Sequence, residues 1–169
     1  MTRASQIGGM MARELTTLKK ELEAYPSEAE VWRVVPGIAN SAGTLALHLA
    51  GNLRHFVGAV LGGTGYVRQR DFEFSARGVP RSELLAGIDA AIAEVGAALE
   101  GLDDAELGKE YPEPVANMRV DTGDFLVHLA SHLAYHLGQV DYHRRIAGGS
   151  DGTVGAVAPG RLRSARALA

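Results

Sequence analysis

The sequence predicts an all-α protein whose folded unit is a four-helix bundle. Three observations predict it. Apolar residues recur at three- and four-residue steps along four long segments. Strand signals are few, and only "YVRQRDFEF" (66–74) offers short extended pieces. Four amphipathic helices in one chain bury their apolar stripes against one another.

The first helix is expected over residues 4–24, with Ile7, Met10 or Met11, Leu15, Leu18 and Leu22 as its stripe. Gly8 and Gly9 weaken its start, and Pro26 ends it because the residue before a proline avoids helix. "SEAE" (27–30) has the capping-box pattern and opens a short turn through Trp32. The second helix follows Pro36-Gly37 and runs over about 41–61, capped by Asn40 or Ser41, with Leu45, Leu49, Leu53, Phe56 and Val60 inward. "GGTG" (62–65) stops it; without a following Lys-Ser/Thr it is no phosphate loop. The third helix covers 81–100, on Leu84, Leu85, Ile88, Ile92, Val95 and Leu99. The fourth starts at Asp121 or Thr122 and continues to about 147 on Leu126, Leu129, Leu133, Leu137 and Val140, and Gly148-Gly149 closes it.

The connection at 62–80 is longer than the roughly two to eight residues that join adjacent antiparallel helices. Such a segment can cross the length of the bundle and leave the second and third helices parallel. The segment 101–120 is also long and carries Pro112 and Pro114. The domain is therefore placed at 1–147. Residues 148–169 form a Gly/Ala/Arg-rich C-terminal tail, either solvated or draped over the bundle or a partner subunit, made basic by Arg161, Arg163 and Arg166.

Composition excludes several classes of function. A chain of 169 residues buries about 70% of its unfolded surface and needs no disulfide or metal staple. Net charge is −3, which offers no electrostatic footprint for direct nucleic-acid binding. Cysteine is absent, so a thiolate ligand or cysteine nucleophile is excluded, and any thiol chemistry uses a borrowed thiol. No apolar run reaches the roughly 18 residues of a membrane span. The first twenty residues lack a continuous hydrophobic region, so no secretory signal is expected and a cytoplasmic location is the default.

The histidines are unevenly placed. All six lie in two segments: His48 and His55 on the second helix, and His128, His132, His136 and His143 on the fourth. His132 and His136, four apart, stack on one helical face with Cβ atoms roughly 6 Å apart. That spacing lets two imidazoles approach one ion from one side. His48 occupies a similar flank of the second helix. Three nitrogen ligands with water in the remaining positions describe a catalytic metal site, and imidazole suits zinc, nickel, copper or iron. His128 could pair with His132 instead. His55 and His143 lie about 10 Å further along the same faces and are read as hydrogen-bonded histidines.

"NSAGTLALHLAGNLRHF" followed by "HLASHLAYHLGQVDY" resembles the DinB/YfiT superfamily of metal-dependent enzymes, over about residues 5–147. "YHLGQ" (135–139) fits the family's aromatic-His-x-Gly-Gln stretch, with Leu137 where many relatives carry arginine. The resemblance implies ligands at His48, His132 and His136, which would resolve the ambiguity at His128. It also implies an up-down-down-up helix order and a divalent metal ion, zinc or nickel. Characterised relatives are mycothiol-dependent maleylpyruvate isomerases and bacillithiol transferases. The implied activity is activation of water or a low-molecular-weight thiol for transfer, isomerisation or hydrolysis of a small-molecule substrate.

Asn52, four after His48, and Gln139, three after His136, are candidates to hold an imidazole or bound water by hydrogen bond. Arg54 and Arg70 are candidates to bind a substrate carboxylate. Glu73 is a candidate base if its connection folds over the cleft. Tyr135 and Tyr142 read as packing residues with wet hydroxyls. Homodimerisation through an apolar helix face fits a bundle. The rival reading is a non-catalytic helical binding or dimerisation module with a structural metal or none.

Overall fold

The computed structural model describes residues 1–155 and 158–167. It is all-helical, with four long helices packed together: α1 (Arg3–Glu23), α3 (Ala42–Leu53), α5 (Arg81–Glu100) and α6 (Thr122–Gly148). Two short helices, α2 (Glu28–Val31) and α4 (Arg70–Ser75), lie in the connections.

Local chemistry explains several helix ends. The side chain of Thr2 accepts from Ser5 N at 3.0 Å, and Asp104 Oδ1 accepts from Arg3 N at 2.6 Å and Ala4 N at 3.3 Å. These contacts satisfy N-terminal donors that no helical carbonyl reaches. They let α1 start at Arg3 despite Gly8 and Gly9. The Glu30 carboxylate accepts from Ser27 N at 3.1 Å, fixing the start of α2. Ser41 caps α3 through Thr44 N at 3.2 Å. Gly149, at φ 64°, ends α6 in the left-handed conformation that glycine adopts without a Cβ clash.

The second predicted helix is divided. Its α-helical part stops at Leu53, and Arg54–Ala59 forms a π-helix, in which Val60 N donates to His55 O at 3.0 Å. Period reading cannot detect this widening, because the apolar residues still recur at helical steps. The Phe56 carbonyl accepts from Tyr111 Oη at 2.6 Å, so a tyrosine from the 101–120 connection ties down the widened turn. A second correction concerns 66–74, where α4 takes Arg70–Ser75 and residues 66–69 alone stay non-helical.

Each long helix packs on two others. α1 and α3 each pack on both α5 and α6. Side chains give the directions. Lys19 meets Asp89 and Gly8 meets Leu99, so α1 and α5 are antiparallel. Glu21 meets Arg144 near the C-terminal ends of α1 and α6, and Asp104 and Leu107 link their starts, so these two are parallel. Phe56 meets Phe125 while His48 meets His132, so α3 opposes α6. Ala50 lies against Gly87, and Arg54 and Gly58 against Glu94, so α3 and α5 are parallel. The long 62–80 segment joins that parallel pair.

The core follows the predicted stripes. Met11, Leu15, Leu18 and Leu22 meet Leu45, Leu49 and Leu53, Leu84, Ile88, Val95 and Leu99, and Leu126, Leu129, Leu133 and Val140, all buried. Met11 is the inward residue of its pair, and Met10 is exposed. One ion pair is buried among them: Arg144 Nε donates to Glu21 Oε2. Part of the tail lies on the bundle. Arg163 Nη1 donates to Ser5 O at 3.1 Å and to Glu100 at 3.0 Å.

Candidate metal centre

α3 and α6 bring His48, His132 and His136 together. One ring nitrogen from each lies within 4.8 Å of the others. The Nε2 atoms of His48 and His132 are 3.3 Å apart. His48 is buried, at 8% exposure, and the other two are half-buried. The rings of His132 and His136 are nearly perpendicular, with centroids 4.5 Å apart, as neighbours one helical turn apart must be to converge.

α4 braces the first of these imidazoles. His48 Nδ1 lies 3.1 Å from Glu73 Oε2. Arg68 grips the same carboxylate with two hydrogen bonds, Nε to Oε1 at 2.7 Å and Nη2 to Oε2 at 2.8 Å. Burial alone would raise the Glu73 carboxyl, but the Arg68 and His48 hydrogen bonds bring it below the usual carboxylate range. Glu73 is therefore ionised and can only accept. Arg68 Nη2 also lies 3.3 Å from His48 Nδ1, but the carboxylate is the nearer partner and can only accept; a proton on Nδ1 satisfies it and leaves the Nε2 lone pair toward His132. Phe74 packs against the His48 ring at 4.9 Å and excludes water from that side.

His136 is braced by its own helix. Its Nδ1 lies 2.7 Å from Gln139 Oε1, which leaves Nε2 to the cluster. Burial pushes His132 down to about 4, and His136 and His48 push it the same way. A shared proton is thus a poor way to hold the three rings together at neutral pH. Ring nitrogens of three imidazoles converging on one spot suit a cation. Ligands about 2.1 Å from one tetrahedral ion lie about 3.4 Å apart, close to the His48–His132 separation.

The remaining sequence candidates have other partners. His128 is exposed, stacks on Phe125 and His132, and lies outside the cluster. His55 pairs with Glu113 at 2.9 Å, and His143 bonds Tyr25 Oη at 2.6 Å and Arg33 O at 2.8 Å. Arg54 is engaged by Glu94 through Nε at 3.0 Å and Nη2 at 2.9 Å, and it stacks on Tyr66. Arg70 is exposed, over the Phe74 ring. Arg54 is taken by Glu94, whereas Arg70 pairs with no acid among the described residues. Asn52 is buried with Oδ1 unpartnered and makes no hydrogen bond to an imidazole among the described residues. Glu73 is corrected from base to brace, since both of its oxygens are occupied.

Arg68 was not legible in the sequence as a site residue. The gap at Gly51, three residues past His48, marks a close approach, but the group it admits is Glu73.

The fold and site define a helical bundle with a three-histidine centre between two of its long helices. The DinB superfamily profile matches residues 11–140, and the chain belongs to that superfamily. No curated protein matches the chain significantly.

Proposed function

We propose that this protein is a metal-dependent enzyme that binds one divalent ion, zinc or nickel, through Nε2 of His48, His132 and His136. One observation carries the reading. His48 Nδ1 is pinned as a donor by an ionised carboxylate, so its Nε2 lone pair faces another imidazole nitrogen at 3.3 Å. Bound there, the ion supplies Lewis acidity that lowers the pKa of a water or low-molecular-weight thiol at its open positions.

The chain's own residues prepare that chemistry. Glu73 and Arg68 fix the tautomer and orientation of His48, and Gln139 does so for His136; such partners also raise ligand basicity. Burial keeps His132 neutral and ready to ligate. Phe74 closes one side of the site. Since cysteine is absent from the sequence, a thiolate would come from a cosubstrate, and the reaction would be transfer, isomerisation or hydrolysis of a small molecule.

Among the described residues no helix is long and apolar enough to cross a membrane. A cytoplasmic location and a homodimer belong to the same proposal. Val127, Tyr135 and Ile146, exposed on α6, support the homodimer.

Elemental analysis tests the reading. The wild-type protein is expected to hold close to one ion per chain, and the His132→Ala, His136→Ala double variant close to none. Wild-type metal content in that variant would overturn it. A screen of thiol cosubstrates with electrophilic acceptors then tests turnover.

A further inference from the structure

The outward face of α6 is poorly suited to water. Between Phe125 and Val140 the helix carries no aspartate, glutamate, lysine or arginine, whereas a solvated surface is about a quarter to a third charged. Val127, Ser131, Ala134, Tyr135, Gly138 and Tyr142 are all exposed. At about 100° per residue they form one stripe, opposite the buried Leu129, Leu133 and Val140. Ser131 and Gly138 keep the middle of the stripe low. A Cβ built on Gly138 meets nothing within 4 Å in its own chain, so the surface there is open to another backbone.

Charges frame the stripe and select what covers it. Asp124, at one end, is exposed, and Arg119, which borders the same surface hollow, is taken by Glu110. Arg145, at the other end, lies over the Tyr142 ring and reaches only Asp141, at 3.7 Å. Two copies of α6 packed in parallel would set Asp124 on Asp124 and Arg145 on Arg145. In an antiparallel pair with its axis between Ala134 and Tyr135, each Asp124 stands level with Arg145 of the other copy, and each Ser131 with Gly138. The face is thus complementary to itself in one direction only, as a two-fold interface requires.

We propose that this protein forms a two-fold dimer through the outward face of α6, packed antiparallel on α6 of a second copy with the axis between Ala134 and Tyr135. This rests on the homodimer named above and gives it a surface and a register. Tyr135 and Tyr142 supply the large rings that interface centres favour. Ser131 and Gly138 let the helix axes approach to about 8 Å. Tyr135 also stands edge-on to the His136 ring, with centroids 5.3 Å apart, so the contact adjoins the metal centre of each copy.

The test uses the full-length protein, whose lack of cysteine leaves introduced thiols without competitors. Sedimentation between about 1 and 100 μM should show a reversible dimer. Ala134→Glu puts a carboxylate at the axis and should weaken the dimer at least about tenfold, with helix content and zinc content unchanged. Arg145→Asp should weaken it about fivefold, and adding Asp124→Arg should restore it. Ser131→Cys protein and Gly138→Cys protein are then mixed with oxidised glutathione. Facing Cα atoms of helices 8–10 Å apart lie about 4–5 Å from each other, within disulfide reach, whereas the two copies of residue 131 are about 10 Å apart along the pair. The mixture should crosslink, and each variant alone should not. A monomer throughout overturns the homodimer and this surface together. A dimer that keeps wild-type affinity in Ala134→Glu, fails to crosslink in the mixture, or crosslinks as readily in either variant alone overturns the surface or its register and leaves the homodimer standing. Zinc content reads the metal centre separately in every sample.

Discussion

The carboxylate of Glu73 occupies the place where residue 51 would carry a side chain. A Cβ built on Gly51 would clash with Glu73 Oε1 and lie 3.4 Å from Tyr66 Oη. The glycine thus admits the brace on His48 from α4. Gly51→Ala should push Glu73 off His48 Nδ1 while α3 stays helical. Losing a hydrogen-bond partner of a ligand typically costs about 10–100-fold in metal affinity. Calorimetric zinc titration should show that loss in both Gly51→Ala and Glu73→Gln. Wild-type affinity in Glu73→Gln would mean that the carboxylate does not tune the site.

The core is complete without an ion, because the buried stripes of all four helices meet one another and the three histidines sit at one flank. Chelation should therefore leave the circular dichroism spectrum unchanged at room temperature and remove only the stabilisation that binding adds by mass action. Global loss of helix on chelation would instead mark a structural metal, as in small domains whose folding energy is metal affinity.

Glu21 and Arg144 form an ion pair with both side chains almost inaccessible. Burial pushes the Glu21 carboxyl up, against the pull of Arg144. Arg144 Nη2 also donates to Gly152 O at 2.8 Å, so the pair anchors the start of the tail. Asp141 also accepts from Arg144 Nη2 at 3.2 Å, so Glu21→Ala leaves the buried guanidinium one partner and should cost less in urea unfolding than the roughly 3–5 kcal/mol of a fully unpaired buried charge. The Glu21→Met, Arg144→Leu double variant should cost much less, because it removes both charges.

His143 gives the fold an acid-sensitive element away from the metal centre. Burial depresses its pKa from 6.5, with the Arg33 carbonyl opposing that shift through its hydrogen bond. A histidine with a depressed folded value binds its proton more readily when unfolded. Its stabilising contribution is present above the unfolded pKa of about 6.5 and is lost as pH falls through the folded value. His143→Gln can still accept from Tyr25 and donate to Arg33 but cannot charge. Its unfolding free energy should fall less than that of the wild type between about pH 7 and pH 5. His132, also depressed, is common to both proteins, so the difference between the two slopes belongs to His143.

Much of this architecture was legible in the sequence for physical reasons. Stripes such as Leu84, Ile88, Val95 and Leu99 recur at the helical period because one face must leave water, so α5 and α6 fall at the predicted positions. The convergence of His48 with His132 and His136 was legible because each lies on the flank of its stripe, where neighbouring helices meet. The π-helix at Arg54–Ala59 was not, since its cause is tertiary: Tyr111 takes a carbonyl from a connection with no periodic signal. Arg68 was obscured for a related reason, as was the bracing role of Glu73, which the sequence offered as a base. Their roles depend on where an irregular segment lands, and no local pattern encodes that landing. Arg54 was attractive as an anion binder because its partner Glu94 is forty residues distant.

The braces and donors of the centre come from widely separated parts of the chain. His48, Arg68 and Glu73 are synthesised early, whereas His132 and His136 belong to α6, the last long helix to leave a ribosome. A nascent chain that has not yet extended α6 holds one donor of three and presents an open apolar trough where α6 will dock. Any ion that the centre takes must therefore be acquired after synthesis of the bundle is essentially finished, by protein that has already closed its core.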